Sequence, residues 1–202
     1  MKRVAVLASG RGSNLAALVA AEAVLGSYRV VLAVSNVAGS GVLDLARDAA
    51  IESVLAPSRG LAREDHERVI VDLLNQRSID IVCLAGYMRL LTPTFFGGFS
   101  GPILNIHPSL LPAFPGIRAQ EQALSAGVKW SGATVHFVDR GLDTGPIILQ
   151  EPVPVRPDDT ESVLSIRILE TEHRLYPRAL DLVARDQYVM RGRVVRISQE
   201  DA

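Results

Sequence analysis

Cysteine is nearly missing from this chain: Cys83 is the only one among 202 residues, so no intrachain disulfide can form. That excludes a disulfide-stapled scaffold and fits a reducing cytoplasm, the expected location. Surplus charge is missing too. The 21 Lys and Arg balance 22 Asp and Glu to a net charge of -1, with a pI of about 6.4. Nothing in that balance draws the chain to nucleic acid. No apolar run approaches the roughly 20 residues of a membrane span. "MKRVAVLA" at the start has the cations and apolar run of an export signal, but it stops at Ser9-Gly10 and reads better as a first strand. The four His and one Cys show neither H-x-x-x-H nor C-x-x-C spacing, and no metal is expected. Repeats, linkers and low-complexity tracts are absent as well. What remains is a chain of 48% apolar composition, enough for a sizeable core and one domain over residues 1–202.

Strand-like and helical patterns alternate through the first half. "RVAVLA" (Arg3–Ala8), "RVVLAVS" (Arg29–Ser35), "ESVLA" (Glu52–Ala56), "DIVCLAG" (Asp80–Gly86) and "PILNI" (Pro102–Ile106) read as strands. Between them, Asn14 to about Ala23, Val42–Ala50 and Glu64–Gln76 carry helical periodicity. This order predicts an α/β fold: a Rossmann-like open, mostly parallel sheet with helices on both faces. From Trp130 the texture changes. "ATVHFV" and "PIILQEPVPV" are strands separated by a short turn, which predicts antiparallel C-terminal strands. Asp159 to about Arg185 reads as one long helix capped by Asp159 or Thr160. "YVMRGRVVRI" predicts a hairpin turning at Arg191-Gly192.

Two places carry chemistry. "ASGRGSNL" joins the first strand to the first helix. It lacks the third glycine of a dinucleotide loop, since Leu15 stands there, and it lacks the Lys of a nucleotide P-loop. A glycine turn opening onto a helix start still suits an anion, although a capped junction without ligand has the same appearance. The second place is "NIHPSLLP". Residues two apart on a strand share a face, so Asn105 and His107 project together, and Pro108 ends the strand. The crevice beyond strand carboxyl ends is where open α/β sheets bind ligands. An amide donor and an imidazole suit an oxyanion formed when a carbonyl is attacked. A capping Asn and a His bonded to local backbone would also explain the pair. "DRGLDTGPI" adds Asp143 in a glycine-flanked turn able to bring a carboxylate beside His107 and favour imidazolium; an ordinary Asp in a Gly-rich loop is the alternative.

"ASGRGSNL", "LAGYMRLL", "NIHPSLLP", "GATVHFVDRGLDTGPIILQ" and "TEHRLYP" occur in this order. Together they resemble the formyltransferase family, over roughly Arg3 to Val195, and within it the phosphoribosylglycinamide formyltransferases, to which "GRGSN" narrows the match. The resemblance implies formyl transfer from 10-formyltetrahydrofolate to the amine of glycinamide ribonucleotide in purine synthesis. It assigns catalysis to Asn105, His107 and Asp143. It gives the ribonucleotide's phosphate to Gly12, Ser13 and Asn14, and a further contact to Glu172. On the folate side it places Arg63, Met88, Arg89 and Leu90 together with Asn105. The implied partners are these two small molecules, with no nucleic acid and no membrane, and with the chain a monomer or homodimer.

The chain departs from the family pattern at Arg118, where many relatives carry a His, at Arg140, where an acidic residue is usual, and at Leu169, where some have a polar contact. Cys83 is expected to be a buried, inert thiol. His136 is expected to be a packed or hydrogen-bonded structural residue. His66 and His173 receive no role, and Arg59 is only near Arg63. Methionyl-tRNA formyltransferase and formyltetrahydrofolate hydrolase are the rival formyltransferases. The first needs an extra C-terminal domain, the second usually an N-terminal regulatory one, and neither needs "GRGSN". A non-catalytic folate- or nucleotide-binding module is the rival of a different class, and the intact trio argues against it.

Overall fold

Alternating short apolar strands and amphipathic helices give nine strands and six helices among residues 1–198, which are those the computed structural model describes. The expected domain extends to residue 202, and 199–202 lie outside the described residues. The chain divides into one unit of Met1–Leu104 and a second that begins at Asn105.

In the first unit, β1 (Lys2–Ala8), β2 (Tyr28–Ser35), β3 (Glu52–Leu55) and β4 (Ile81–Leu84) run in the order β3-β2-β1-β4, all parallel. Val4 to Ala8 are wholly buried without alternation, as parallel strands covered on both faces require. The helices α1 (Ser13–Leu25), α2 (Gly41–Asp48) and α3 (Arg63–Gln76) are the crossovers. α2 presents Val42, Leu43 and Ala46 to the interior, and α3 presents Ile70, Val71 and Leu74. Arg63, expected just ahead of a helix, is its first residue.

A helix without a sequence-based expectation, α4 (Pro93–Gly98), follows β4. Its cap explains it. Pro93 fits the first helical position, and Thr92 Oγ1 accepts from the Thr94 N–H at 3.2 Å. The buried Glu67 carboxylate of α3 then accepts from the Thr92 N–H at 2.8 Å, the Phe95 N–H at 3.2 Å and the Thr92 hydroxyl.

β5 (Ile103–His107) crosses the division. The second unit continues with α5 (Ala119–Ser125), also unanticipated, β6 (Trp130–Phe137), β7 (Ile147–Pro154), α6 (Glu161–Ala184), β8 (Tyr188–Arg191) and β9 (Val194–Ile197). Its strand order is β5-β6-β7-β9-β8. β6 and β7 pair antiparallel as expected, and so do β8 and β9. The hairpin turns one residue later than expected: Arg191 pairs with Val194, leaving Gly192-Arg193 as the loop. Gly192, at φ +60°, supplies the positive φ that such two-residue turns need. Thr160 caps α6, its hydroxyl accepting from the Val163 N–H at 3.3 Å. α6 packs on β6 and β7, burying Leu164, Ile168, Leu175 and Leu180.

Candidate active site

β5 positions the first two side chains. Leu104 and Ile106 are buried, and Asn105 and His107 lie on the opposite face, where the strand ends before Pro108. His107 is itself buried. Its Nε2 lies 2.9 Å from the Phe114 carbonyl oxygen and its Nδ1 lies 3.4 Å from Asp143 Oδ2. A carbonyl and a carboxylate can only accept, so a ring protonated on both nitrogens satisfies both neighbours. At 3.4 Å the contact with Asp143 is longer than a tight charge-assisted hydrogen bond and acts mainly through charge.

Asp143 is held by its turn. Its backbone is left-handed at φ +52°, a conformation that Asp tolerates better than most residues. Its Oδ2 accepts from the Gly116 N–H at 2.7 Å. The same turn is braced by Asp139, whose Oδ1 accepts from the Gly141 N–H at 3.0 Å and the Thr144 hydroxyl at 2.6 Å. Only glycine fits at position 145, because a Cβ there would stand 1.7 Å from the Phe137 carbonyl oxygen. The sequence "LDTG" therefore brings the carboxylate beside His107.

A fourth side chain joins these three. His136, buried on β6, has Nε2 3.2 Å from Asn105 Nδ2 and 3.8 Å from Asp143 Oδ1, and Nδ1 2.8 Å from the Phe137 carbonyl oxygen. Burial pushes its pKa below the ordinary imidazole value, against the opposing pull of the Phe137 carbonyl and of Asp143. His136 is hydrogen-bonded, as expected. The sequence reading missed that its partner is Asn105, so that Asn105, His136, Asp143 and His107 form one connected cluster. The available signal was its strand, "TVHFV", which runs straight into the Asp143 turn.

The remaining candidates sit in both units. In the first, Gly12 is the N-cap of α1 at φ +89°, and a Cβ on it would come within 2.8 Å of Val42 Cα, so the turn requires glycine. Ser13 and Asn14 open the helix, whose first-turn N–H groups have no intrahelical acceptors. Ser9, one residue past β1, accepts from the Met88 N–H at 3.0 Å and donates to Asn36 Oδ1 at 2.6 Å. It thus ties the glycine loop's start to the stretch Met88-Arg89-Leu90 at the carboxyl ends of β1, β2 and β4. Met88 and Leu90 are exposed, being 70% and 51% accessible. Beside them, Tyr87 Oη and Arg89 Nε are buried with no hydrogen-bond partner among the described residues. Burial pushes the Tyr87 hydroxyl up to about 12. Arg63 is exposed at the start of α3. In the second unit, Glu172 is buried on α6.

The family-divergent residues lie outside the cluster. Arg118 is the left-handed cap of α5 and pairs with Glu121 at 3.1 Å, Arg140 is exposed and Leu169 is half-buried on α6. His66 is buried with Nε2 2.8 Å from the Ala56 carbonyl oxygen, and Cys83 is buried in β4. No group of three or more His, Cys, Asp or Glu among the described residues could hold a metal ion. No described helix is long and apolar enough to cross a membrane.

An amide and an imidazole at one strand end of an α/β protein, with a carboxylate beside the imidazole, are groups able to stabilise an oxyanion. The family follows from comparison: the formyl transferase model matches residues 2–180, and the chain belongs to that family. It is 40% identical to the phosphoribosylglycinamide formyltransferase of Escherichia coli, over 90% of this chain and 86% of that protein. It is 47% identical to the trifunctional purine biosynthetic protein adenosine-3 of Drosophila melanogaster over 90% of this chain, but spans only 14% of that much longer protein. The crystal structure of glycinamide ribonucleotide transformylase 1 from Symbiobacterium toebii superposes with a TM-score of 0.94 at 44% identity, covering 98% of this chain and 95% of that one. These matches bear out the mostly parallel α/β sheet with antiparallel C-terminal strands.

Proposed function

We propose that the chain transfers the formyl group of 10-formyltetrahydrofolate to the amine of glycinamide ribonucleotide, giving formylglycinamide ribonucleotide and tetrahydrofolate in the cytoplasm during de novo purine biosynthesis. The observation that carries this reading is the Asn105, His107 and Asp143 cluster in a chain of the formyl transferase family. The amine attacks the formyl carbon, and the carbonyl oxygen becomes an oxyanion. The Asn105 amide donates to it, and protonated His107 stabilises it by charge. The Nε2–H of His107 is already given to the Phe114 carbonyl, so a direct bond to the oxyanion requires exchange of that partner. Asp143 neutralises the imidazolium and, with water, passes the amine's proton to the folate nitrogen that leaves.

Gly12, Ser13 and Asn14 take the phosphate of the ribonucleotide, and Glu172 takes a further contact on it. The folate side uses Arg63, whose cation meets a glutamate carboxylate, and Met88, Arg89 and Leu90, whose apolar groups flank the pterin. Unpartnered polar atoms on Tyr87 and Arg89 beside exposed Met88 and Leu90 suit a flat heterocycle with polar edges. No metal takes part. The two units make up a single formyltransferase domain over residues 1–202, supported by a family match that runs through both of them. The chain acts as a monomer or homodimer.

The test is the absorbance change on release of the deformylated folate, recorded with and without glycinamide ribonucleotide. Release that depends on the ribonucleotide is expected. Release at the same rate without it would make the chain a hydrolase, and no release with either would make it a binding module.

A further inference from the structure

Asn105 carries an amide whose two ends differ in chemistry, and an oxyanion accepts from only one of them. Something must decide which end faces the reacting carbonyl. β5 sets the position of the Asn105 Cα but not the rotation of its amide, because the last torsion of Asn is broad and roughly two-fold.

We infer that His136 is the positioning residue that sets this rotation, by accepting a hydrogen bond from Asn105 Nδ2 at its own Nε2. The reasoning starts at the other side of the ring. Nδ1 stands 2.8 Å from the Phe137 carbonyl oxygen, which can only accept, so Nδ1 carries the proton. A neutral ring protonated at Nδ1 has a lone pair at Nε2. Nε2 lies 3.2 Å from Asn105 Nδ2, a donor, and the two groups match. The reverse amide rotation would set Asn105 Oδ1 against that lone pair, acceptor against acceptor. One N–H of the amide is thus committed to His136, and the second, about 120° away on the same planar nitrogen, remains for the oxyanion.

Burial keeps the ring in the state this requires. The charged groups around it are Asp143, at 3.8 Å, together with Asp139 and His107. Loss of hydration, with His107 acting in the same direction, favours the neutral form and outweighs the Phe137 carbonyl, Asp143 and Asp139, which favour a second proton on the ring. The β6–β7 register shifts beside His136: Val135 pairs with Leu149 and His136 with Ile147, which leaves Ile148 of β7 as the unpaired residue. The Phe137 carbonyl that holds Nδ1 is also the atom that position 145 can approach only as glycine, so the anchor of His136 and the Asp143 turn are one construction.

This inference rests on the formyl-transfer reading. Its test uses the whole chain, in three variants and in wild type. His136→Asn keeps an amide near the Nδ1 position and removes the acceptor facing Asn105. It is expected to lower kcat about tenfold and to change KM for either substrate less than about twofold, since the lost bond orients a group that acts on the oxyanion. His136→Gln, whose amide oxygen reaches the Nε2 position, is expected to restore most of that loss. In an Asn105→Ala background His136→Asn is expected to cost less than about twofold, because a residue that works through Asn105 has nothing left to position. Equal cost in both backgrounds would overturn the inference, and so would a His136→Gln variant no better than His136→Asn at unchanged melting temperature. Nitrogen NMR of the wild-type ring needs no variant: Nδ1 protonated and Nε2 unprotonated is expected, and a proton on Nε2 in the resting enzyme would overturn the assignment. A wild-type chain that turned over no substrate would sink the formyl-transfer reading while leaving the tautomer measurement to stand on its own.

Discussion

Asp143→Asn changes a charge and almost nothing else. Asparagine shares the tolerance of aspartate for the left-handed backbone found here at φ +52°. Its amide oxygen can still accept from the Gly116 N–H that Oδ2 now holds at 2.7 Å. The anion 3.4 Å from His107 Nδ1 is lost. At that separation a carboxylate and an imidazolium attract by about 5 kcal/mol at an effective dielectric of 20, and by about 1 kcal/mol in bulk water. The Asp143 side chain is only 12% exposed, which favours the larger figure, while the long contact and relaxation of the loop reduce it. A loss of about 3–4 kcal/mol of transition-state stabilisation follows, or a kcat reduced about 10²- to 10³-fold. Ground-state ligands do not carry the oxyanion, so their affinity should change little. The assay is kcat at saturating concentrations of both substrates, with Kd from calorimetry and a melting curve to show that the variant is folded. A folded Asp143→Asn enzyme with kcat within about twofold of wild type would refute the electrostatic role.

Three further outcomes test separate parts of the molecule. Asn14→Asp puts a carboxylate at the start of α1; against a phosphate about 4 Å away it costs up to about 4 kcal/mol, so ribonucleotide affinity should fall at least about tenfold while folate affinity holds. Unchanged ribonucleotide binding in calorimetry would remove the phosphate assignment from the glycine loop. Cys83→Ala should lower stability by about 1 kcal/mol in denaturant titration and leave turnover nearly intact, because the thiol is buried packing in β4. Asp159 is held down to about 2 by two 2.8 Å bonds from Arg167 and one of 2.8 Å from the Arg156 N–H. A carboxyl lowered in the folded state stabilises above its unfolded pKa, about 3.9, and that contribution fades as pH falls toward 2. Asp159→Asn should therefore melt earlier than wild type at neutral pH, with the gap closing in acid; a gap independent of pH would contradict this.

The sequence made the candidate trio legible because two physical signals coincide. Asn105 and His107 are two apart on an apolar strand that Pro108 stops, and Asp143 is flanked by the glycines that its turn needs. The parallel strands were legible from β-branched runs such as "RVVLAVS". The short helices were not, for reasons of length. α4 has six residues and α5 seven, too few for periodicity to register. α4 is stabilised by Thr92 and by Glu67, which lies 25 residues away along the chain. The role of His136 is not legible locally, because its link to Asn105 spans 31 residues. The hairpin turn is ambiguous by one residue in the sequence, because Arg-Gly and Gly-Arg both contain the needed glycine, and only the pairing of Arg191 with Val194 selects the second.

The central claim is that the cluster at the end of β5 is a reaction centre and not a binding pocket. His107→Ala tests it most directly, with kcat and the Kd of each ligand measured on the same folded preparation. The account predicts a kcat at least about 10²-fold lower, with both Kd values within a few-fold of wild type, since the charge of His107 acts on an oxyanion that exists only during transfer. A His107→Ala enzyme that bound its ligands much more weakly yet kept its kcat would contradict it.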